Sequence, residues 1–161
     1  MKTIEIVGED YIGHFNQLRY ASRAVIIKDN KILLSHEAKN DLWMIPGGGL
    51  ENDETARDTA IREVREETGH IIEPSDLILE IDEYYGDNKF VTYYFFGEVK
   101  GVTKQSLTDV EIKEELEPRW ISIEEALKIF SNYEKYVQAF VEKSGLYFRE
   151  YTALNYMLTH K

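Results

Sequence analysis

The residues of this chain best placed to do chemistry are three clustered glutamates that follow a glycine-rich turn. Glu63 stands three positions before Glu66 and four before Glu67, so on an α-helix all three crowd one side. Like charges at that spacing cost about 0.2–0.5 kcal/mol per pair. Near a helix C-terminus the macrodipole disfavours each carboxylate by a further ~0.3–1 kcal/mol. A helix selected for stability alone would not be built this way, and rules broken without visible compensation mark functional sites. The compensation that suits three carboxylates is a divalent cation. Hard oxygen ligands point to Mg²⁺, Mn²⁺ or Ca²⁺ rather than zinc.

The elements that must hold these residues are readable around them. The preceding turn is Pro46-Gly47-Gly48-Gly49-Leu50-Glu51. A helix is expected over 54–68, with Asp53 as its N-cap and Glu54 in a first turn where negative charge is favoured. Ala56, Ala60, Ile61, Val64 and Thr68 give it a core-facing stripe, and Gly69 supplies the left-handed residue that commonly ends a helix. Before the turn, Ala24-Val25-Ile26-Ile27 and Lys31-Ile32-Leu33-Leu34 flank Asp29-Asn30 as a hairpin. After the helix, a strand is expected over 76–81. The strongest strand is 90–96, rich in aromatic residues, with 82–85 as its partner across Gly86-Asp87-Asn88. Residues 3–7 suit an edge strand. Ser122-Ile123-Glu124-Glu125 has the form of a capping box. Leu127, Phe130, Tyr133, Val137, Phe140 and Val141 continue helical spacing to about Lys143. Gly145 then reads as a break before a short last helix carrying Tyr147, Tyr151, Leu154 and Leu158.

One pattern joins these pieces. Gly48, five residues, Glu54, seven residues, Arg62-Glu63-Val64, one residue, Glu66-Glu67, one residue and Gly69 resembles the Nudix box of the MutT/Nudix hydrolases. It departs only at His70, where an aliphatic packing residue is usual. The lead-in Trp43-Met44-Ile45-Pro46 and the Glu-rich stretch ending in Trp120-Ile121 are similar to the family as well, so the resemblance extends over most of the chain. It implies an α/β fold, the Nudix α/β/α sandwich with a mixed β-sheet between helices, as one domain over residues 1–161. The implied reaction is Mg²⁺-dependent hydrolysis, with Mn²⁺ as the alternative ion, of a nucleoside diphosphate linked to another group. Glu66 and Glu67 are the first choices for metal ligands. Glu63 is a ligand or the base, and the Gly48 carbonyl is a further ligand. Glu54 and Arg62 are implied to form an ion pair that braces the loop. A later glutamate completes such sites; among Glu111, Glu114, Glu115 and Glu117, alignment favours Glu114 as a catalytic residue, with Glu115 close behind. Homodimerisation, common in the family, is a further expectation.

Composition narrows the rest. The 161 residues suffice for one core of ordinary domain size. There is no cysteine, which excludes disulfides, thiolate metal sites and the cysteine-requiring isopentenyl diphosphate isomerisation. No signal peptide or membrane-length segment is evident, so a cytoplasmic protein without a membrane partner is expected. With 30 acidic against 19 basic residues, a nucleic-acid partner is disfavoured. An anionic substrate would also be repelled unless bound cations invert the local field. His14, His36, His70 and His160 lack ligand spacing. Trp43 suits a core anchor under the loop better than a base-stacking platform. Tyr84 and Tyr85 lie near the place of a tyrosine that marks dinucleoside-polyphosphate hydrolases, but among 11 tyrosines coincidence explains them better. The proline-rich signature of NADH-cleaving relatives is absent. A non-hydrolysing nucleotide sensor on the same fold is the rival reading, and retention of Glu54, Glu63, Glu66 and Glu67 opposes it.

Overall fold

A computed structural model describes residues 1–139 and 141–161; Phe140, placed above in a helical run, lies outside them. In chain order the strands are β1 (Lys2–Val7), β2 (Gln17–Val25), β3 (Ile27–Lys28), β4 (Lys31–Glu37), β5 (Leu42–Met44) and β6 (Gly47–Gly49). Helix α1 (Ala56–Thr68) precedes β7 (His70–Pro74), β8 (Leu79–Tyr85) and β9 (Asn88–Val102). A short α2 (Asp109–Lys113) leads to β10 (Leu116–Ser122), α3 (Ile123–Ser131), a 3₁₀ turn (Asn132–Tyr136) and α4 (Val141–Leu158).

One sheet runs β1-β8-β9-β2-β6, with β7 added on β9; the other runs β10-β4-β3, with β5 on β4. The first is mixed, because β1 runs parallel to β8 and β2 parallel to β9, while β8 pairs antiparallel with β9. Helix α1 closes one face over Ala24, Ile26, Leu33, Val64 and Ile72. The other face packs Val25, Ile81 and Tyr94 against Phe130, Tyr147 and Leu154 from the C-terminal helices. The layers are those of the expected α/β/α sandwich.

The short β3–β4 hairpin turns at Asp29 and Asn30, both at positive φ (52° and 61°), as the tightest hairpin turns require. The β8–β9 hairpin turns at Gly86-Asp87, and β1 lies at the sheet edge. Three expectations are corrected. The N-cap of α1 is Thr55, whose side chain accepts from the Asp58 amide, so Glu54 precedes the helix instead of opening it. The chain makes a turn just before this cap, with the Glu54 amide donating to the Glu51 carbonyl at 2.8 Å. Gly145 breaks nothing, and α4 runs through it. Burial of Tyr147, Ala153, Leu154 and Met157 outweighs the ~1 kcal/mol that an interior glycine costs a helix. Strand β7 was not anticipated. At the expected box of Ser122, only the half in which its side chain caps the Glu125 amide is present.

Candidate active site

The glycine turn is a strand in its own right. Gly47, Gly48 and Gly49 pair with Arg23, Ser22 and Ala21 of β2, and they lie against Arg62, Glu63 and Glu67 of α1. A side chain at position 48 would put its Cβ 2.5–2.7 Å from the carboxyl atoms of Glu63. Only glycine lets that carboxylate lie against the backbone. Arg62 ties strand to helix. Its Nε and Nη2 donate to Glu54 at 2.6 and 2.9 Å, and Nη2 also donates to the Gly49 carbonyl at 3.1 Å. The same guanidinium reaches Glu63 (2.9 Å) and Glu66 (3.2 Å) through Nη1. Glu54 accepts further bonds from the Glu51 amide and the Thr59 hydroxyl. Its carboxyl is pulled down to about 2, chiefly by the Arg62 hydrogen bonds.

Glu67 has the opposite environment. It is 6% exposed and accepts from the Ser35 hydroxyl (3.0 Å) and the Gly47 amide (3.2 Å), so it joins α1 to β4 and β6. Burial pushes its carboxyl up to about 8; the nearby Arg23 charge opposes this and Glu63 adds to it. Glu63 is half-buried and also raised, by burial first and against the pull of Arg62.

Among the described residues, no three His, Cys, Asp or Glu side chains converge as a metal cage. Arg62 stands between Glu63 and Glu66, and Glu67 is held by Ser35 and Gly47. The donor set nevertheless fits a hard divalent ion. One arginine serves Glu54, Glu63 and Glu66, and burial first, then the neighbouring Glu63 charge, raises Glu67 against the pull of Arg23.

The acidic stretch before Trp120 is more ordered than a solvated loop. Thr108 and Glu111 form a reciprocal capping box on α2. Of the four glutamates, Glu111 is the one whose charge is felt at Glu63. Glu114 ends α2 and takes a hydrogen bond from the side-chain amide of Asn40; the carboxyl of Glu37 is raised by burial first, with the Glu114 charge adding to it. Glu115 has φ +57° and its carbonyl accepts from the Ala38 amide. Glu117 pairs with Arg119 and, at 3.4 Å, with His36. His36 also meets Asp41 at 2.9 Å and stacks on Trp43 with ring centroids 4.0 Å apart. Trp43 packs against the main core. His70 meets the edge of Trp120, a packing role.

Comparison with known proteins decides the family. A model described as NUDIX domain matches residues 18–140. The chain belongs to the Nudix hydrolase family. It is 31% identical over 119 residues (74% of this chain, 71% of the relative) to the mouse diphosphoinositol polyphosphate phosphohydrolase 3-alpha. It is 30% identical over 97 residues to the provisionally named ADP-ribose pyrophosphatase YjhB of Bacillus subtilis (strain 168), covering 59% of this chain and only 47% of that protein. A Nudix hydrolase structure from Nitrosomonas europaea shares the fold with a TM-score of 0.61 at 24% identity, covering 83% of this chain and 89% of that one. The Escherichia coli ORF135 protein gives 0.54 at 25% identity over 70% and 79% of the two chains.

This Nudix chain also holds its glycine strand from a direction no local motif announced. Glu150 of α4, fully buried, accepts from the Ile45 amide at 2.6 Å, and Arg23 Nη1 donates to the Ile45 carbonyl at 2.6 Å. The residue before Pro46-Gly47 is thus gripped on both sides. Glu150 also accepts from the Tyr94 hydroxyl (2.6 Å) and Arg149 Nε (3.1 Å). Glu150 follows Ile45 by 105 positions, and nothing in the local pattern pairs them.

Proposed function

We propose that this Nudix protein hydrolyses the pyrophosphate bond of a nucleoside diphosphate joined to another group, with Mg²⁺ or Mn²⁺ as cofactor. The observation that supports the reading is the crowding of carboxylates at the glycine strand, where Glu54, Glu63 and Glu66 share Arg62 and burial raises Glu67 to about 8. Glu63, Glu66, Glu67 and the Gly48 carbonyl would hold the ion. When bound, it would neutralise the pyrophosphate and lower the pKa of the attacking water. Glu54 and Arg62 keep strand and helix in register, so the carboxylates stay aimed at one place. In the reaction, a water oxygen bonds to one phosphorus while that phosphorus loses its bond to the bridging oxygen. The bridging oxygen leaves with the second phosphate, and a glutamate takes the water proton, Glu63 or the loop residue Glu114. The reading extends to one domain over residues 1–161, acting in the cytoplasm on a small nucleotide-type substrate, with homodimerisation carried over from the family. Among the described residues no helix is long and apolar enough to cross a membrane.

The test is phosphate release, with an auxiliary phosphatase, from ordinary and oxidised nucleoside triphosphates, ADP-ribose, nucleotide sugars, NADH, dinucleoside polyphosphates and a diphosphoinositol polyphosphate. Metal-dependent release from a nucleotide is expected. Silence across the panel by a protein that binds Mg²⁺ would replace hydrolysis with nucleotide sensing.

A further inference from the structure

Among the described residues one lysine is buried, and it stands where a cation is disfavoured. Lys143 is 7% exposed and is the third residue of α4, at the end of the helix dipole that repels positive charge. Among the same residues it belongs to no ion pair. Its ammonium instead meets the Asp41 carbonyl at 3.1 Å and the rings of Tyr136 and Tyr147, at 4.2 and 5.3 Å from their centroids. Taking an ammonium out of water without a carboxylate partner costs stability. A rule broken in this way marks a residue kept for function, and no step of the proposed reaction has used it.

The carbonyl it grips belongs to a strained turn. Asp41, between β4 and β5, has φ +49°, in the left-handed region that a side chain disfavours. The Tyr147 hydroxyl donates to the same carbonyl (3.4 Å) and accepts from the Trp43 amide (3.1 Å). The Asp41 carboxylate meets His36 Nε2 (2.9 Å) and Trp43 Nε1 (3.2 Å). From this turn the chain reaches the acidic loop. The Ala38 and Lys39 amides donate to the carbonyls of Glu115 (3.1 Å) and Glu114 (3.4 Å), and the Asn40 side chain donates to Oε2 of the Glu114 carboxylate. None of the five residues of α2 is buried, so core packing does not place it. Its two ends do. Gln105 Nε2 and the Ser106 amide donate to the Glu67 and Glu66 carbonyls of α1, at 2.5 and 2.8 Å, and the β4–β5 turn holds the other end at Glu114.

We infer that Lys143 is a positioning residue for hydrolysis: by gripping the Asp41 carbonyl it locks the β4–β5 turn and, through Asn40, aims the carboxylate of Glu114. It rests on the hydrolase reading above, with Glu114 as the loop base. Asn40 takes one oxygen of that carboxylate and leaves Oε1 to accept the water proton. Without the ammonium, Asp41 is free to leave its left-handed conformation, and the neighbouring Asn40 loses its fixed place. Glu63, Glu66 and Glu67 are held by separate contacts to Arg62, Ser35 and Gly47, so metal binding does not depend on this grip.

The experiment compares wild type with Lys143→Met, which keeps the stem between the two rings and removes the ammonium, in the full chain. On the best nucleotide of the panel above, kcat should fall about tenfold or more, the scale of one hydrogen bond to a charged group. KM and Mg²⁺ affinity should stay within about threefold. The thermal midpoint should hold or rise, because a buried charge is gone. Amide hydrogen exchange of the metal-free protein should quicken about fivefold over residues 38–43 and 109–115 and stay level over α1. Tyr147→Phe should give the same pattern at smaller amplitude. In a Glu114→Gln background, Lys143→Met should change kcat less than about twofold, because its effect passes through that carboxylate. An equal loss in that background, a loss shared by KM and Mg²⁺ affinity, or full kcat in Lys143→Met would each overturn the assignment. Hydrolysis by the wild type, with exchange in both segments unaltered by Lys143→Met, overturns the tether alone. Quickened exchange in the variant of a protein whose wild type hydrolyses nothing overturns the hydrolase alone.

Discussion

At the glycine strand, Arg62 answers Glu54, Glu63 and Glu66 while Glu67 lies buried beside them. Beneath α4, Arg149 answers Glu83 and Glu150, and the charge of Arg23 is also felt at Glu83. Both regions gather glutamates around arginine, yet the first sets four carboxylates against Arg62 and a share of Arg23, and the second sets two against Arg149 and a share of the same Arg23. A charge deficit of that size leaves a place for an added cation. Near-balance in a largely buried network instead fixes geometry: Glu150 and Arg23 grip Ile45 and thereby the strand that faces Glu63 and Glu67. On the proposed reading the first region is the one that reacts, and the second positions it.

The largest effect that separates the two is on turnover. Glu66→Gln should lower metal-dependent phosphate release at least ~100-fold, because a catalytic ion stabilises the transition state by several kcal/mol. The metal-free thermal midpoint should stay level or rise, since like-charge repulsion on α1 is relieved. Undiminished activity would remove the metal-site assignment. The loop glutamate comes next: loss of a general base costs ~100-fold or more. Glu114→Gln should show this loss in kcat. If Glu111→Gln shows it instead, the residue whose charge reaches Glu63 is the one recruited; loss in Glu115→Gln would mean that the reading of the loop is off by one position.

Stability should reverse the ranking of the two regions. Arg149→Met leaves Glu83 and Glu150 buried without their partner and should cost ~3–5 kcal/mol in urea unfolding. Arg62→Met should cost less without metal, because Glu54, Glu63 and Glu66 retain partial solvent access. Equal losses would erase the distinction.

The sequence shows one of these regions and hides the other for a physical reason. The box residues are local: Gly48 to Gly69 lie on one strand, one turn and one helix, so a family pattern confined to this stretch already implies the Glu54–Arg62 pair and a site at Gly48 and Glu63. Glu150 and Ile45, or Arg149 and Glu83, meet only through tertiary packing, and no periodicity encodes their encounter. The same limit explains Gly145, where a local stop signal is overridden by burial of its neighbours. It does not explain α2, whose Thr108-Asp109-Val110-Glu111 box was a local signal obscured by the acidic run.

Two smaller effects sharpen the charge comparison. Mg²⁺ at a hundredfold excess over its dissociation constant should stabilise the wild type by ~2.7 kcal/mol, read as a rise in thermal midpoint. The rise should disappear in Glu66→Gln and persist in Glu83→Gln. An equal rise in all three would place the ion elsewhere.

The smallest expected effect follows from Glu54. Its carboxyl titrates near 2 in the folded chain against an ordinary 4.5, because Arg62 donates to the charged form. Between those values the unfolded chain binds more protons than the folded one, so stability rises with pH across that window. The contribution is complete above about pH 4.5 and is lost as pH falls toward 2. Glu54→Gln should therefore be less stable than wild type at neutral pH, by on the order of 1 kcal/mol after solvent screening. The two denaturation midpoints should converge on acidification. Glu67 has the opposite sign: a carboxyl raised to about 8 weakens the metal-free fold as pH climbs from 4.5. A Glu54→Gln deficit that persists unchanged at pH 2 would mean that its cost comes from packing at the loop and not from the Arg62 ion pair.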